Sequence, residues 1–394
     1  MGVVSGCSGP ENGDLYTVRD SLGITVVESR GPAWEEGEGW SFSPEPSLQI
    51  GERDGEDAFQ FFGVTGGIRL PDGRLVILNS GTRTIRVFSA EGGFLAEFGG
   101  QGDGPGEFRR LSAVHHLGGD TLLVWDSGRP AFSLFKASGA FLGSTTLAPP
   151  GSEPLSEVIP LPDGRVMATT YAGPLTQGGD RGVGIHRDMA PVLVFDRAGA
   201  VLDTLGVYPS GETVIMRLGQ GTGIGIPPFQ KTSFLAVHGD TCYLGTAERM
   251  EVSVLDLDGA LRAVFRHVSL DLSVGEADRE WYRDQLREMA STPQEQEMLP
   301  MVFSGLIFPE TRAAYSALEV DPTGAVWLMT GRHFPPGGPS PEWTVFSHRG
   351  VLLGTVVLPE RFEPLEFGLD HVLGVWRDEM DVEFVRVYSI QRGS

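Results

Sequence analysis

Val87-Phe88-Ser89-Ala90-Glu91-Gly92, followed by Phe94-Leu95, joins the end of one apolar strand to the start of another through a polar turn and a glycine. The unit returns as Leu134-Phe135-Lys136-Ala137-Ser138-Gly139 before Phe141-Leu142, and as Val194-Phe195-Asp196-Arg197-Ala198-Gly199 before Val201-Leu202. Val254-Leu255-Asp256-Leu257-Asp258-Gly259 and Val345-Phe346-Ser347-His348-Arg349-Gly350 complete five copies. In each copy the glycine stands four residues after the second apolar residue. A hairpin turn needs a positive φ there, which a Cβ would hinder.

A Gly/Asp turn and a strand precede each copy: Asp72-Gly73 before Arg74-Leu75-Val76-Ile77, Gly119-Asp120 before Thr121-Leu122-Leu123-Val124, and Asp163-Gly164 before Arg165-Val166-Met167. Gly239-Asp240 before Thr241-Cys242-Tyr243-Leu244 and Thr323-Gly324 before Ala325-Val326-Trp327-Leu328 follow the same pattern. Each unit therefore contains four short strands. Four-stranded antiparallel units in series predict an all-β chain folded as a six-bladed β-propeller. The sixth unit is degenerate: Val372–Trp376 and Val382–Tyr388 are strand-like, and the chain then stops without an outer strand. An open ring leaves an unpaired edge. The N-terminal region can supply the missing strand from Gly23–Val27 or from Ser47–Ile50, and either would serve.

The repeat glycines at 92, 139, 199, 259 and 350 are unevenly spaced, and the excess maps to insertions. Tyr171 to Ala190 reads as a long polar loop inside the third unit. Between the fourth and fifth units, over about 273–312, lies a helical insertion. Ser273 and Glu276 have capping-box spacing, and Tyr282, Leu286 and Met289 share a face, which predicts a helix from about Val274 to Ala290. Pro293 and Pro300 bracket a second short segment. The expected organisation is a tether over 1–19 and one propeller over 20–392.

Composition agrees with this punctuation. Of 394 residues, 55 are glycine and 27 proline; glycine at about 14% is twice its usual share. No apolar run is long enough to span a membrane as a helix. The chain carries 30 basic and 52 acidic residues, a formal charge of −22, and only Lys136 and Lys231 are lysines. Such a surface repels phosphate backbones, and with no local basic patch in the sequence a nucleic-acid partner is not expected. Cationic partners are permitted by the same charge.

There are two cysteines. Cys242 sits in a strand-like run and reads as a buried thiol. Val4-Ser5-Gly6-Cys7 resembles the lipobox of bacterial lipoproteins, where lipid is attached to the cysteine. The basic and apolar stretch that usually precedes such a site would have to lie upstream of Met1. Cys7 is therefore the expected lipidation site. Ser8–Gly13 would be the tether, and the expected location is extracytoplasmic, in the periplasm or cell envelope.

The stretch Phe98-Gly99-Gly100-Gln101-Gly102-Asp103-Gly104-Pro105-Gly106-Glu107-Phe108 resembles the Gly-Pro-Gly-Glu-Phe linker of bacterial six-bladed β-propellers related to NHL-repeat proteins. Gly219–Phe229 looks like a degenerate copy and Ile50–Phe59 a third. On this resemblance Phe108 and Phe229 would pack between blades. Pro105 and Phe108 lead into a strand rather than a helix, so the glycines do not form a phosphate cradle.

Relatives within that resemblance include lactonase-like hydrolases with a channel Ca²⁺ held by Glu, Asn and Asp, and lyases with a His-bound zinc. The corresponding candidates here are His115, His116, His238 and His371 near the first turns, with Asn79 and Asp126 at the ends of second strands. Their turn positions read as surface histidines and turn hydrogen bonding, so no metal, cofactor or catalytic residue is assigned. The expected function is a binding or protein-interaction scaffold, with a protein or small-molecule ligand at the propeller face. The alternative is a metal-dependent hydrolase or lyase using the central channel.

Overall fold

The computed structural model describes residues 15–35, 37–151, 154–172, 181–330 and 342–393. Cys7 lies outside these residues. Five four-stranded antiparallel blades follow in chain order; four are sheets of their own, and the fourth blade in order is part of a six-stranded sheet. Their innermost strands are Val64–Arg69, Leu111–His116, Leu155–Pro160, Phe234–His238 and Leu318–Val320, and Phe362–Phe367 begins the sixth blade. The repeat glycines turn each third strand into the fourth, with φ between 82° and 93° at Gly92, Gly139, Gly199, Gly259 and Gly350.

The core is divided among the joints. Six clusters of buried apolar side chains each span two consecutive blades. Val76 and Val124 lie between blades one and two, and Trp125 and Val158 between two and three. Met167 and Cys242 lie between three and four, and Tyr243 and Leu328 between four and five. Between five and six, Trp327 stacks on Phe367 with ring centroids 4.4 Å apart. The last cluster joins Leu373 and Val385 of blade six to Ile77 and Phe88 of blade one. That joint closes the ring.

Both N-terminal candidates form strands, in different blades. Leu48–Ile50 pairs antiparallel with Glu383–Gln391, Ile50 opposite Val385, and is the missing outer strand of blade six. Ile24–Ser29 instead pairs parallel with Leu261–His267 on the outer edge of blade four, and Tyr16–Ser21 pairs with it in turn. The latter strand begins within the span expected as tether.

Strand direction alternates within a blade, so its first and third turns lie at one end of the ring. Its middle loop and the crossover to the next blade lie at the other. Every glycine turn of the repeat is at the first end. The insertions fall at the second: the loop after Val166–Thr170, the crossover from blade three to four, and the crossover from four to five.

Four sequence expectations change here. Gly219–Phe229 is not a linker: Thr213–Leu218 and Gly221–Gly225 form a hairpin, joined by Gly184–His186 from the expected loop into a three-stranded sheet. Phe229 is not packed between blades; its ring meets those of Trp281, Tyr282 and Phe308 in the helical insertion. The first insertion helix is Glu276–Met289, and its cap uses Gly275, whose N–H donates to Asp278, rather than Ser273. The second is one continuous helix, Pro293–Gly305, with Pro300 inside it. Thr292 and Glu295 cap it reciprocally, at 3.3 Å and 2.9 Å. Gly305 lies flat on the small sheet, where a Cβ would stand 2.5 Å from the Arg217 carbonyl oxygen.

Candidate functional site: the central channel

Side chains alternate along a strand, and the innermost strands show which set meets the channel. The residues opposite Val76, Leu123, Met167, Tyr243, Trp327 and Leu373 form one ring: Ile68, His115, Ile159, Ala236, Glu319 and Glu366. All are partly or fully exposed. Their strand neighbours Val114, Val158, Leu235 and Leu318 are buried between blades. A second accessible ring, toward the inserted end, includes Gly66, Ala113, Glu157, Phe234 and Glu363. Glu157 stands two residues before Ile159 in regular register and so shares its channel face, while a register shift between Leu155 and Glu157 adds Ser156 as an extra residue.

The rings carry four glutamates, and two of them have polar partners. Glu366 accepts the Arg69 N–H at 2.7 Å and stands 3.5 Å from His371 Nε2, while Glu363 accepts from Arg377 at 2.9 Å. Glu157 and Glu319 take no hydrogen bond and no ion pair among the described residues. Water reaches both side chains, yet protein surrounds them, as a narrow channel requires. Burial, reinforced by the Glu319 charge, pushes Glu157 up to about 8. Burial alone pushes Glu319 up to about 7. Both hold protons near neutral pH where a glutamate in bulk water would not.

His115 is not a surface histidine. It reaches the backbone of Val158 in the next blade, and burial pushes it down to about 4, so it is neutral in the channel wall. Its Nε2 is buried without a partner. The other histidines lie elsewhere. His116 Nε2 is 3.1 Å from the Gly119 carbonyl oxygen, and His238 is exposed. His371 sits between Glu366 and Asp370; burial opposes its charge, but the two neighbouring carboxylates outweigh it and raise its pKa.

Asn79 and Asp126 are the turn acceptors their positions suggest. Asn79 Oδ1 accepts from the Phe62 N–H at 2.7 Å. Asp126 accepts from the N–H groups of Arg109, Arg110 and Gly128 at 2.9, 2.8 and 3.0 Å. Cys242 is fully buried against Met167, and burial pushes its thiol up to about 12. Among the described residues no group of three or more His, Cys, Asp or Glu is placed to hold a metal ion. The histidine and Asn/Asp candidates therefore do not converge.

A family model described as a six-bladed β-propeller matches residues 59–148, the first two blades. The chain is a six-bladed β-propeller. The crystal structure of a protein described as exported, from Bacteroides fragilis, is 13% identical over 94% of this chain and 100% of its own, with a TM-score of 0.52. A DUF4221 family member from Bacteroides vulgatus is 10% identical over 90% of this chain and 99% of its own, with a TM-score of 0.52. A gluconolactonase from Xanthomonas campestris is 12% identical over 89% of this chain and 100% of its own, at a TM-score of 0.44. These likenesses concern the fold. No curated protein sequence matches the chain.

Reading the sequence alone did not single out Glu157 or Glu319. The signal was present: each is the lone charged residue of an innermost strand, Leu155-Ser156-Glu157-Val158-Ile159 and Leu318-Glu319-Val320.

Proposed function

We propose that this propeller is a binding protein of the cell envelope, held there by lipid on Cys7, and that its channel receives an amine or guanidinium group of a ligand or partner. The unpartnered pair Glu157 and Glu319 carries the proposal. An entering cation supplies the counter-charge these carboxylates lack, so both ionise and protons leave as it binds. Affinity should rise with pH until the pair is ionised, between about 7 and 8. The extracytoplasmic location draws support from the lipobox-like Val4–Cys7 and from the exported description of the Bacteroides fragilis protein. No helix among the described residues is long and apolar enough to cross a membrane.

Titration calorimetry with agmatine and spermidine, in buffers of different ionisation heat, tests the channel. The expected result is saturable binding with proton release, weakened at least tenfold in Glu157→Gln with Glu319→Gln. Absence of binding, or binding unchanged in that variant, sinks the proposal. Recovery of the mature protein in the detergent-rich phase tests the anchor, and an unmodified Cys7 in the aqueous phase overturns it. A lactone and ester panel with added Ca²⁺ or Zn²⁺ should show no turnover; turnover would favour a hydrolase instead.

A further inference from the structure

The end that carries the glycine turns has a cleft of its own. It measures about 530 Å³ and is lined by residues of blades two, three and four. Its wall includes Leu123, Phe132 and Leu134 of blade two, of which Leu123 and Phe132 are buried. Its rim holds His116, Arg165 and Arg197. A cleft of this size that joins apolar side chains to a few convergent polar groups has the form of a small-molecule site.

Two turns of blade three bring the arginines together. Arg165 follows the Asp163-Gly164 turn, and its Nε donates to Asp163 at 2.7 Å. Arg197 lies in the later turn and crosses back, its Nη2 donating to the Asp163 carbonyl oxygen at 2.8 Å. Gly164 makes this crossing possible, because a Cβ there would stand 2.3 Å from Arg197 Nε. Arg197 has no carboxylate partner at ion-pair distance among the described residues, although the chain carries a formal charge of −22. The turn itself does not need an arginine: the repeat places Ala90 and Ala137 at the same position in blades one and two. Arg74, the counterpart of Arg165 in blade one, is closed off by both Asp72 and Asp120, at 2.7 and 2.8 Å.

We infer that this cleft binds a small organic anion, a carboxylate on a compact apolar body, with the body against Leu123, Phe132 and Leu134 and the head group between Arg165 and Arg197. A planar guanidinium offers a carboxylate paired N–H donors, and an apolar wall strengthens that pairing by excluding water. The inference stands apart from the channel proposal, since the two sites share no residue.

Octanoate is the probe, read by titration calorimetry on the whole chain, with octanol and octylamine as matched controls. Octanoate should bind at least tenfold more tightly than either control. Arg197→Ala and Arg165→Ala should each weaken octanoate about tenfold and leave octanol unchanged. Leu134→Trp, filling the cleft, should abolish both. Thermal melting confirms that each variant is folded, and the exposed Arg197 makes the first variant the safest. Equal binding of octanoate and octylamine overturns the inference. So does octanoate binding that survives Arg197→Ala and Arg165→Ala together, or no octanoate binding at all.

Discussion

Gly199 and Gly239 both hold positive φ, at 85° and 56°, for different reasons. Around Gly239 a Cβ would meet nothing, so Gly239→Ala should cost only the left-handed backbone penalty, about 1–2 kcal/mol. At Gly199 a Cβ would stand 2.1 Å from the Thr146 carbonyl oxygen in the outer strand of blade two. Gly199→Ala must also push two blades apart, and urea unfolding should show a loss at least twice that of Gly239→Ala; equal losses would refute the inter-blade role. The channel carboxylates make a pH prediction. The unfolded chain ionises Glu157 near the usual glutamate value, 4.5, whereas the folded chain keeps its proton up to about 8. Stability therefore falls as pH rises through that window. Glu157→Gln should match the parent at pH 4 and melt at a higher temperature by pH 9. Because the Glu319 charge is part of the shift, Glu319→Gln should also lower the Glu157 pKa, measured by carboxyl carbon NMR. His115 runs the other way. Its folded value near 4 lies below the ordinary 6.5, so its contribution is present above pH 6.5 and lost as pH falls toward 4. His115→Gln should flatten that acid limb.

At the scale of elements, two N-terminal strands test ring closure. Gln49 is the middle residue of Leu48–Ile50, and Thr25 lies in Ile24–Ser29; both are exposed. Proline at either position removes a ladder donor. Only Gln49→Pro loosens the joint between blades six and one, so it should lower the melting temperature by several degrees more than Thr25→Pro. Comparable shifts would mean that the parallel strand matters as much as the closing one. The repeat made the four-stranded units legible because a hairpin turn is a local event, written in adjacent residues. It did not decide between the two closing strands, because both were apolar and alternating, and pairing depends on an edge at the far end of the chain. The three-stranded sheet was hidden for a related reason. Gly221–Gly225 carries the glycines of a linker, and only its neighbour Thr213–Leu218 makes it a strand.

The molecule as a whole is held by its joints. Each blade buries its faces against its two neighbours, and no blade has a private core among the described residues. Loss of any joint exposes two apolar faces, so the ring should unfold in one step, with tryptophan fluorescence and far-UV strand signal coinciding in urea. Separate transitions would mean that some blades stand alone.

Turn chemistry, strand period and copy number are local properties, and they were enough to determine a ring of six blades, its hairpin glycines and the site of its helical insertion. The channel was a different matter. Glu157 and Glu319 are ordinary acidic residues in two strands far apart in the chain; only closure of the ring brings them to one space, where burial holds protons on both and the Glu319 charge adds to the shift at Glu157. Arg165 and Arg197 likewise become neighbours because two turns of one blade fold over the same glycine. Tertiary structure decided these sites because electric fields and close contacts depend on distance in space, which the order of residues does not state.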